Sequence, residues 1–135
     1  MWTIVVDDAL VSCIGLRPEA GWLRCNAEIG YWIGQAWWRR GIASDAVRQV
    51  TDWAFVAVPE ITRIHAPIFA DNEGSQAVAR KCGYMREATL PQSAIKDGRV
   101  IDRVVWATYR TERARRDADI DAALAATAAS AMERA

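Results

Sequence analysis

Tyr31-Trp32-Ile33-Gly34-Gln35-Ala36-Trp37-Trp38-Arg39-Arg40-Gly41-Ile42-Ala43 is the stretch that decides how this chain folds. An apolar run of strand type (Ala27 to Ile33) passes through a short turn with two arginines and enters an amphipathic helix at a Gly-x-Ala step. The first N–H groups of a helix have no intrahelical partner, and the helix dipole adds partial positive charge there. Gly41 has no side chain to hold an anion away from the main chain, and Arg39 and Arg40 add charge at the rim. The arrangement predicts a site for a diphosphate-bearing ligand. A plainer reading stands beside it, in which Gly41 only begins a buried helix and the arginines are solvated.

The helix itself is predicted over 41–58. Its apolar residues fall at Ala43, Ala46, Val47, Val50, Trp53, Ala54 and Ala57, with Asp45, Arg48, Gln49 and Asp52 on the other side, and Pro59 ends the pattern. Two rival phosphate motifs are excluded. The chain has no Gly-x-x-x-x-Gly-Lys-Ser/Thr and no Gly-x-Gly-x-x-Gly after the strand, so neither a P-loop nor a dinucleotide-binding turn is supported.

Working outward, the elements alternate. Trp2 to Val6 and Leu10 to Leu16 read as a hairpin around Asp7-Asp8, and Pro18 to Gly21 as a loop. Ile61 to Ala70 reads as an apolar strand interrupted by Pro67, and 73–81 as a short helix that stops at Cys82-Gly83. Tyr84 to Ile95 and Arg99 to Arg110 read as strands joined by the Asp97-Gly98 turn. The first 110 residues are expected to form one domain. The alanine-rich, charged stretch 111–135 is expected to be a helical or frayed tail.

The 135 residues carry 17 basic and 17 acidic side chains, a net charge of +0, so no global field draws in nucleic acid. Three cysteines (Cys13, Cys25, Cys82) lack any Cys-x-x-Cys, which argues for reduced thiols in the cytoplasm and against a metal site. No segment approaches the roughly 20 apolar residues that span a bilayer, so no membrane role is expected.

Asn72-Glu73-Gly74-Ser75 is the second informative motif. Asn72 sits at a strand exit and a helix entry, where Asn is a favoured N-cap with Ser75 as its N3 residue. A cap can also hold a ligand, and both readings stay open.

Taken together, the order strand, Trp-Arg-Arg-Gly-Ile-Ala, helix, strand, Asn-x-x-Ser, helix, Gly-Tyr, hairpin resembles the GNAT superfamily of acetyl-CoA-dependent N-acetyltransferases. Glu28-Ile29-Gly30-Tyr31-Trp32-Ile33, Trp38 and Asn72-Glu73-Gly74-Ser75 resemble its ribosomal-protein alanine/serine acetyltransferase (RimJ/RimL-like) branch. The resemblance runs from about Thr3 to Arg110. It implies an α/β fold of α+β type, with a mixed, mostly antiparallel sheet that splays at the cofactor strand and is flanked by helices. It implies that pantetheine pairs with main-chain groups around Ile33 and that the diphosphate of coenzyme A lies on Trp38, Arg39, Arg40, Gly41, Ile42 and Ala43. Asn72 would bond the pantetheine arm, and Ser75 would lie near the thioester sulfur. Acetyl would pass from acetyl-CoA to a primary amine, a protein N-terminal amine among the candidates, by direct attack and without a metal.

For proton transfer the candidates are Ser75, Glu28 and His65, with Asp102 a further cleft candidate. The family's tyrosine acid, four residues before the helix-ending glycine, is Ala79 here. Family members usually carry a strand and helices before the position of Trp2. Their lack here predicts an exposed apolar patch around Trp2, Ile4 and Val11 and a homodimer that covers it. Two alternatives remain: a catalytically silent acyl-CoA-binding or regulatory module, and an interaction protein using Arg113-Ala114-Arg115-Arg116 for RNA or a partner helix.

Overall fold

A computed structural model describes residues 1–134. In chain order the elements are β1 (Trp2–Val6), β2 (Ala9–Pro18), β3 (Asn26–Ile33), α1 (Ile42–Ala57), β4 (Arg63–Phe69), α2 (Glu73–Lys81), β5 (Met85–Lys96), β6 (Arg99–Tyr109) and α3 (Arg110–Arg134). The strands form one six-stranded sheet in the order β1-β2-β3-β4-β6-β5, antiparallel throughout except for β3 against β4. The expected mixed, mostly antiparallel sheet with flanking helices is therefore what the chain forms. Among the described residues no helix is long and apolar enough to cross a membrane.

Alternation along the strands sorts the sheet into two faces. Ile14, Ile29, Ile64, Ala66, Ile68 and Trp106 turn toward α1 and α2 and pack with Val47, Val50, Ala54, Phe55 and Ala79 into the core. Each fully buried aliphatic side chain contributes about 1.5–3 kcal/mol of transfer free energy, so this layer supplies most of the driving force. Arg17, Glu28, Trp32, His65 and Pro67 turn to the opposite face.

The buried stripe of α1 differs from the periodicity reading. Thr51 and Phe55 are buried with Ala43, Val47, Val50 and Ala54, whereas Trp53 is 50% exposed and meets Trp2 edge-on at 5.2 Å. Thr51 fits the core because its hydroxyl bonds both the Val47 carbonyl (2.6 Å) and Tyr84 Oη (2.7 Å). Val11 is 0% exposed, so it does not belong to the predicted apolar surface patch.

β3 and β4 pair over three positions only: Asn26 with Arg63, Ala27 with Ile64 and Glu28 with His65. Beyond them the strands part. The pairing stops just before Pro67. Gly34 N–H donates to the Val11 carbonyl at 2.9 Å, with Ser12 opposite Ile33, so the main-chain groups of Ile33, and by alternation Tyr31 and Ile29, face β4. On β4, Ala70 N–H donates to the Asp102 carbonyl (3.0 Å) and Arg63 N–H to the Cys25 carbonyl (3.2 Å). Odd-numbered residues of β4 thus turn their main chain toward β3. The next donor after His65 is Pro67, which has no N–H. The sequence alone suggests that Pro67 interrupts the strand. Instead β4 runs unbroken along β6, and only its β3 side is interrupted.

At the far end of α1, Arg110 binds four carbonyls, those of Phe55 (2.7 Å), Val58 (3.2 Å), Pro59 (3.1 Å) and Ile61 (2.6 Å). It closes the helix end that has lost its own donors. Arg113 pairs with Asp52 on α1, and the Arg116 guanidinium lies against Gly83. This stripe, spaced by three, docks α3; Arg113 is half-buried, whereas Arg115 and Arg116 stay exposed.

Two outcomes are expected. Arg110→Ala leaves carbonyls unsatisfied at a cost of about 2 kcal/mol, lowering the thermal midpoint by several degrees, whereas Arg115→Ala leaves it unchanged. Pro67→Val restores an N–H aimed at β3. Hydrogen exchange should show that amide protected, with stability changed by less than about 1 kcal/mol because the lost proline offsets the added bond.

Candidate functional site

The parting of β3 from β4 opens a cleft of about 840 Å³ between the end of β3, the 34–41 loop, the first turn of α1 and α2. Ile33, Trp38, Arg39, Arg40, Gly41, Ile42, Ala43, Asn72 and Ser75, all expected to meet one ligand, line this single cleft. Its size is in the range of small-molecule sites.

Gly41 is the N-cap of α1 at φ +77°, a left-handed conformation that suits glycine, and the helix proper starts at Ile42. No side chain caps this end, and the first helical bond is Asp45 N–H to the Gly41 carbonyl at 3.0 Å. The N–H groups of Ile42, Ala43 and Ser44 therefore have no partner within the helix. A methyl built on Gly41 meets nothing within 4 Å, so the space before these amides is open. The Arg40 guanidinium stacks 4.9 Å from the Trp37 ring centre, which holds charge at the rim. Trp38 donates its indole N–H to the Ile33 carbonyl at 3.0 Å and so folds the loop back onto the end of β3.

α2 supplies the facing wall. Asn72 Oδ1 accepts from Ser75 N–H at 3.1 Å, the N-cap bond that its position predicts. The Ser75 carbonyl accepts the Tyr31 hydroxyl at 2.6 Å, a tie that crosses the gap from β3 to α2. Burial pushes the Tyr31 hydroxyl well above its ordinary range, so it stays a donor. Ala79 is 1% exposed and offers the cleft no side chain.

Sequence reasoning misses three contributors. Tyr31 is one. Lys81 also lines the cleft, and its spacing from Gly74 and Val78 on one helical face is the available signal. Lys96, at the tip of the β5–β6 hairpin, bonds Asp71 at 3.1 Å over the Phe69 ring, which only the tertiary fold brings about. Arg39, Arg40, Lys81 and Lys96 against Asp71 and Glu73 leave the cleft net positive.

Glu28 and His65 do not line this cleft. They are neighbours on the opposite face of the sheet, at the last rung before the strands part. Glu28 accepts from Arg17 at 2.8 Å, and His65 Nε2 lies 2.9 Å from Glu19 Oε1. Asp102 serves the fold rather than the cleft, since its carboxylate caps Gln92 N–H (2.9 Å) in the β5 bulge. Among the described residues no cluster of three or more His, Cys, Asp or Glu side chains is placed to hold a metal ion. A second hollow of about 420 Å³, between α3 and the β5–β6 ends, is lined by Arg113 and Arg116, which the docking of α3 already engages.

Comparison with known proteins agrees with this geometry. The profile of the acetyltransferase (GNAT) domain matches residues 1–85. The chain is 36% identical over 101 residues to the uncharacterized N-acetyltransferase YoaA of Bacillus subtilis (strain 168), covering 75% of this chain and 56% of that protein. It is 30% identical over 109 residues to the putative ribosomal N-acetyltransferase YdaF of the same organism, covering 81% and 58%. Among solved structures, Mycobacterium smegmatis RimJ in complex with CoA-disulfide superposes with a TM-score of 0.74 at 30% identity, covering 82% of this chain and 52% of that one. The chain thus spans little more than half the length of these relatives. A splayed sheet, an uncapped glycine-led helix and a matching family profile converge: this chain belongs to the GNAT acetyltransferase family.

Proposed function

We propose that this protein is an N-acetyltransferase that moves the acetyl group of acetyl-CoA to a primary amine, with protein N-terminal amines as the acceptor class. One observation carries the reading. A gap lined by unpaired main-chain groups of β3 leads directly to an uncapped helix N-terminus ringed by cations. An extended, amide-containing arm ending in a diphosphate needs both features in that order. The likeness to RimJ and to a ribosomal N-acetyltransferase supports the acceptor class.

In this reading the amides of Ile42, Ala43 and Ser44, with Arg39, Arg40 and Lys81, hold the diphosphate end. Ile33 N–H and the Tyr31 main chain pair with the pantetheine arm, and Asn72 Nδ2 donates to it. Ser75, beside the gap, delivers a proton to the departing sulfur. Glu28 and His65 lie where the gap closes and provide the base for the amine. Helix and base sit on opposite faces, so donor and acceptor approach from opposite sides of the sheet.

We read residues 1–110 as the acetyltransferase unit, with 111–135 appended to it, and place the protein in the cytoplasm. We also propose a homodimer. Trp2, Val5 and Leu10 remain exposed near the edge strand β1, and an isologous contact there would cover them. The burial of Ala79 favours a second reading, a silent acyl-CoA-binding module. Thiol release from acetyl-CoA in the presence of peptides with free N-termini separates the two, since a silent module binds coenzyme A but releases no thiol.

Gly41→Val forces a β-branched residue to φ +77°, a strain of about 1–3 kcal/mol, and should weaken coenzyme A binding tenfold or more by calorimetry. Arg40→Ala removes a rim charge worth at most about 1 kcal/mol, roughly a fivefold loss. Equal, small losses would end the diphosphate assignment. Ser75→Ala should lower kcat by about 10²-fold while leaving the acetyl-CoA dissociation constant unchanged.

A further inference from the structure

We propose that Glu19 and His65 act as a pair, Glu19 fixing the imidazole so that His65 Nδ1 accepts the proton of the incoming amine. The inference rests on the transferase reading and selects the base within it.

The two residues come from separate elements. Glu19 follows β2, His65 lies mid-β4, and their side chains are 27% and 12% exposed, with Oε1 and Nε2 at 2.9 Å. An ionised carboxylate only accepts hydrogen bonds, so the contact selects the ring form with hydrogen on Nε2. Nδ1 then carries the lone pair. Among the described residues Nδ1 has no hydrogen-bond partner, yet no buried side-chain nitrogen or oxygen there lacks one. Nδ1 therefore reaches solvent on the open face of the sheet. A carboxylate that orients an imidazole in this way is the logic of catalytic triads and of metal-bound histidines.

Position supports the assignment. His65 is the last residue of β4 paired with β3, and the gap lies beyond it, from Pro67 onward. Glu28 stands opposite His65 on β3, but its carboxylate is engaged by Arg17 of β2. On β4 and β5, Arg63 binds Glu87, which Tyr109 of β6 also bonds. Arg63 holds the Glu87 carboxylate below its usual range, so it stays paired and charged.

The step balances simply. The ammonium form of the acceptor gives one proton to Nδ1, and the freed lone pair attacks the thioester carbonyl carbon. The C–N bond forms, the C–S bond breaks with its electrons on sulfur, and the second amine proton ends on that sulfur. The imidazolium returns its proton to water.

His65 is the only histidine of the chain, so its nitrogen resonances need no assignment. A long-range proton–nitrogen correlation spectrum of the full chain should show the Nε2–H form. In Glu19→Gln the side-chain amide can donate to Nε2, and the Nε2–H form should lose its dominance. Turnover with a peptide acceptor should fall about tenfold in Glu19→Gln and about 10²-fold in His65→Gln. Coenzyme A affinity should be unchanged in both. Glu19→Gln with the wild-type spectrum and turnover overturns the pair. Wild-type turnover in His65→Gln, with a loss only in Glu28→Gln, moves the base to Glu28. A wild-type chain that binds coenzyme A but acetylates no amine overturns the transferase reading itself, which the binding measurement separates from failure of the pair.

Discussion

The sheet parts at the one β4 position that offers β3 no hydrogen-bond donor. The parallel ladder between β3 and β4 needs an N–H at every second residue, and at Pro67 the chain supplies none. Everything on either side is well paired: β2 holds β3 along its length, and β6 holds β4 from Arg63 to Phe69. The sheet can therefore part at one seam without coming apart. Main-chain groups of Tyr31 and Ile33 are left facing that seam, and polar groups lined up without partners are costly unless something pairs with them. Trp38 satisfies one, the Ile33 carbonyl. The others remain open to the gap.

The seam also decides the division of labour. The core face carries α1 and α2, and with them an uncapped helix end, the Arg39-Arg40 rim and Lys81. Such a surface suits a large polyanionic group. The opposite face carries Arg17, Glu19, Glu28, His65 and Arg63, an ionisable surface of paired charges. Tyr31 spans the seam to Ser75 and ties the strand to the helix that forms the other wall. Its burial keeps the phenol protonated, so this tie does not switch with pH in the ordinary range.

Away from the seam, the arginines of α3 carry much of the long-range closure. Arg110 closes the carbonyl end of α1, Arg113 reaches Asp52, and Arg116 fits against Gly83, a place where any side chain would collide with it. Of the cluster that reads in the sequence as a basic patch, Arg113 is turned into the fold, while Arg115 and Arg116 remain exposed. Arg115 pairs with Glu112 on the same helix.

Local signals along the chain settle the order and type of the main elements and pick out residues that line one cleft. An apolar run marks β3, 3.6-residue periodicity marks α1, the Asn72 cap and the Cys82-Gly83 stop mark α2, and these, like the Gly41 step, are local signals whose physics needs only neighbouring residues. That is why nine residues chosen from two short motifs line one cleft. Tertiary structure alone decided the rest. Which face of β3 meets the helices depends on its register with β2, a pairing across a long loop. That Pro67 breaks one ladder and spares the other depends on which neighbour its nitrogen faces. Trp53 lies outside the core and Phe55 inside it because the helix is rotated by what it packs against, not by its own pattern. Tyr31 and Lys96 are tied into the cleft, and Glu19 to His65 on the opposite face, through contacts between residues 25 to 46 positions apart, and no local pattern encodes such distances.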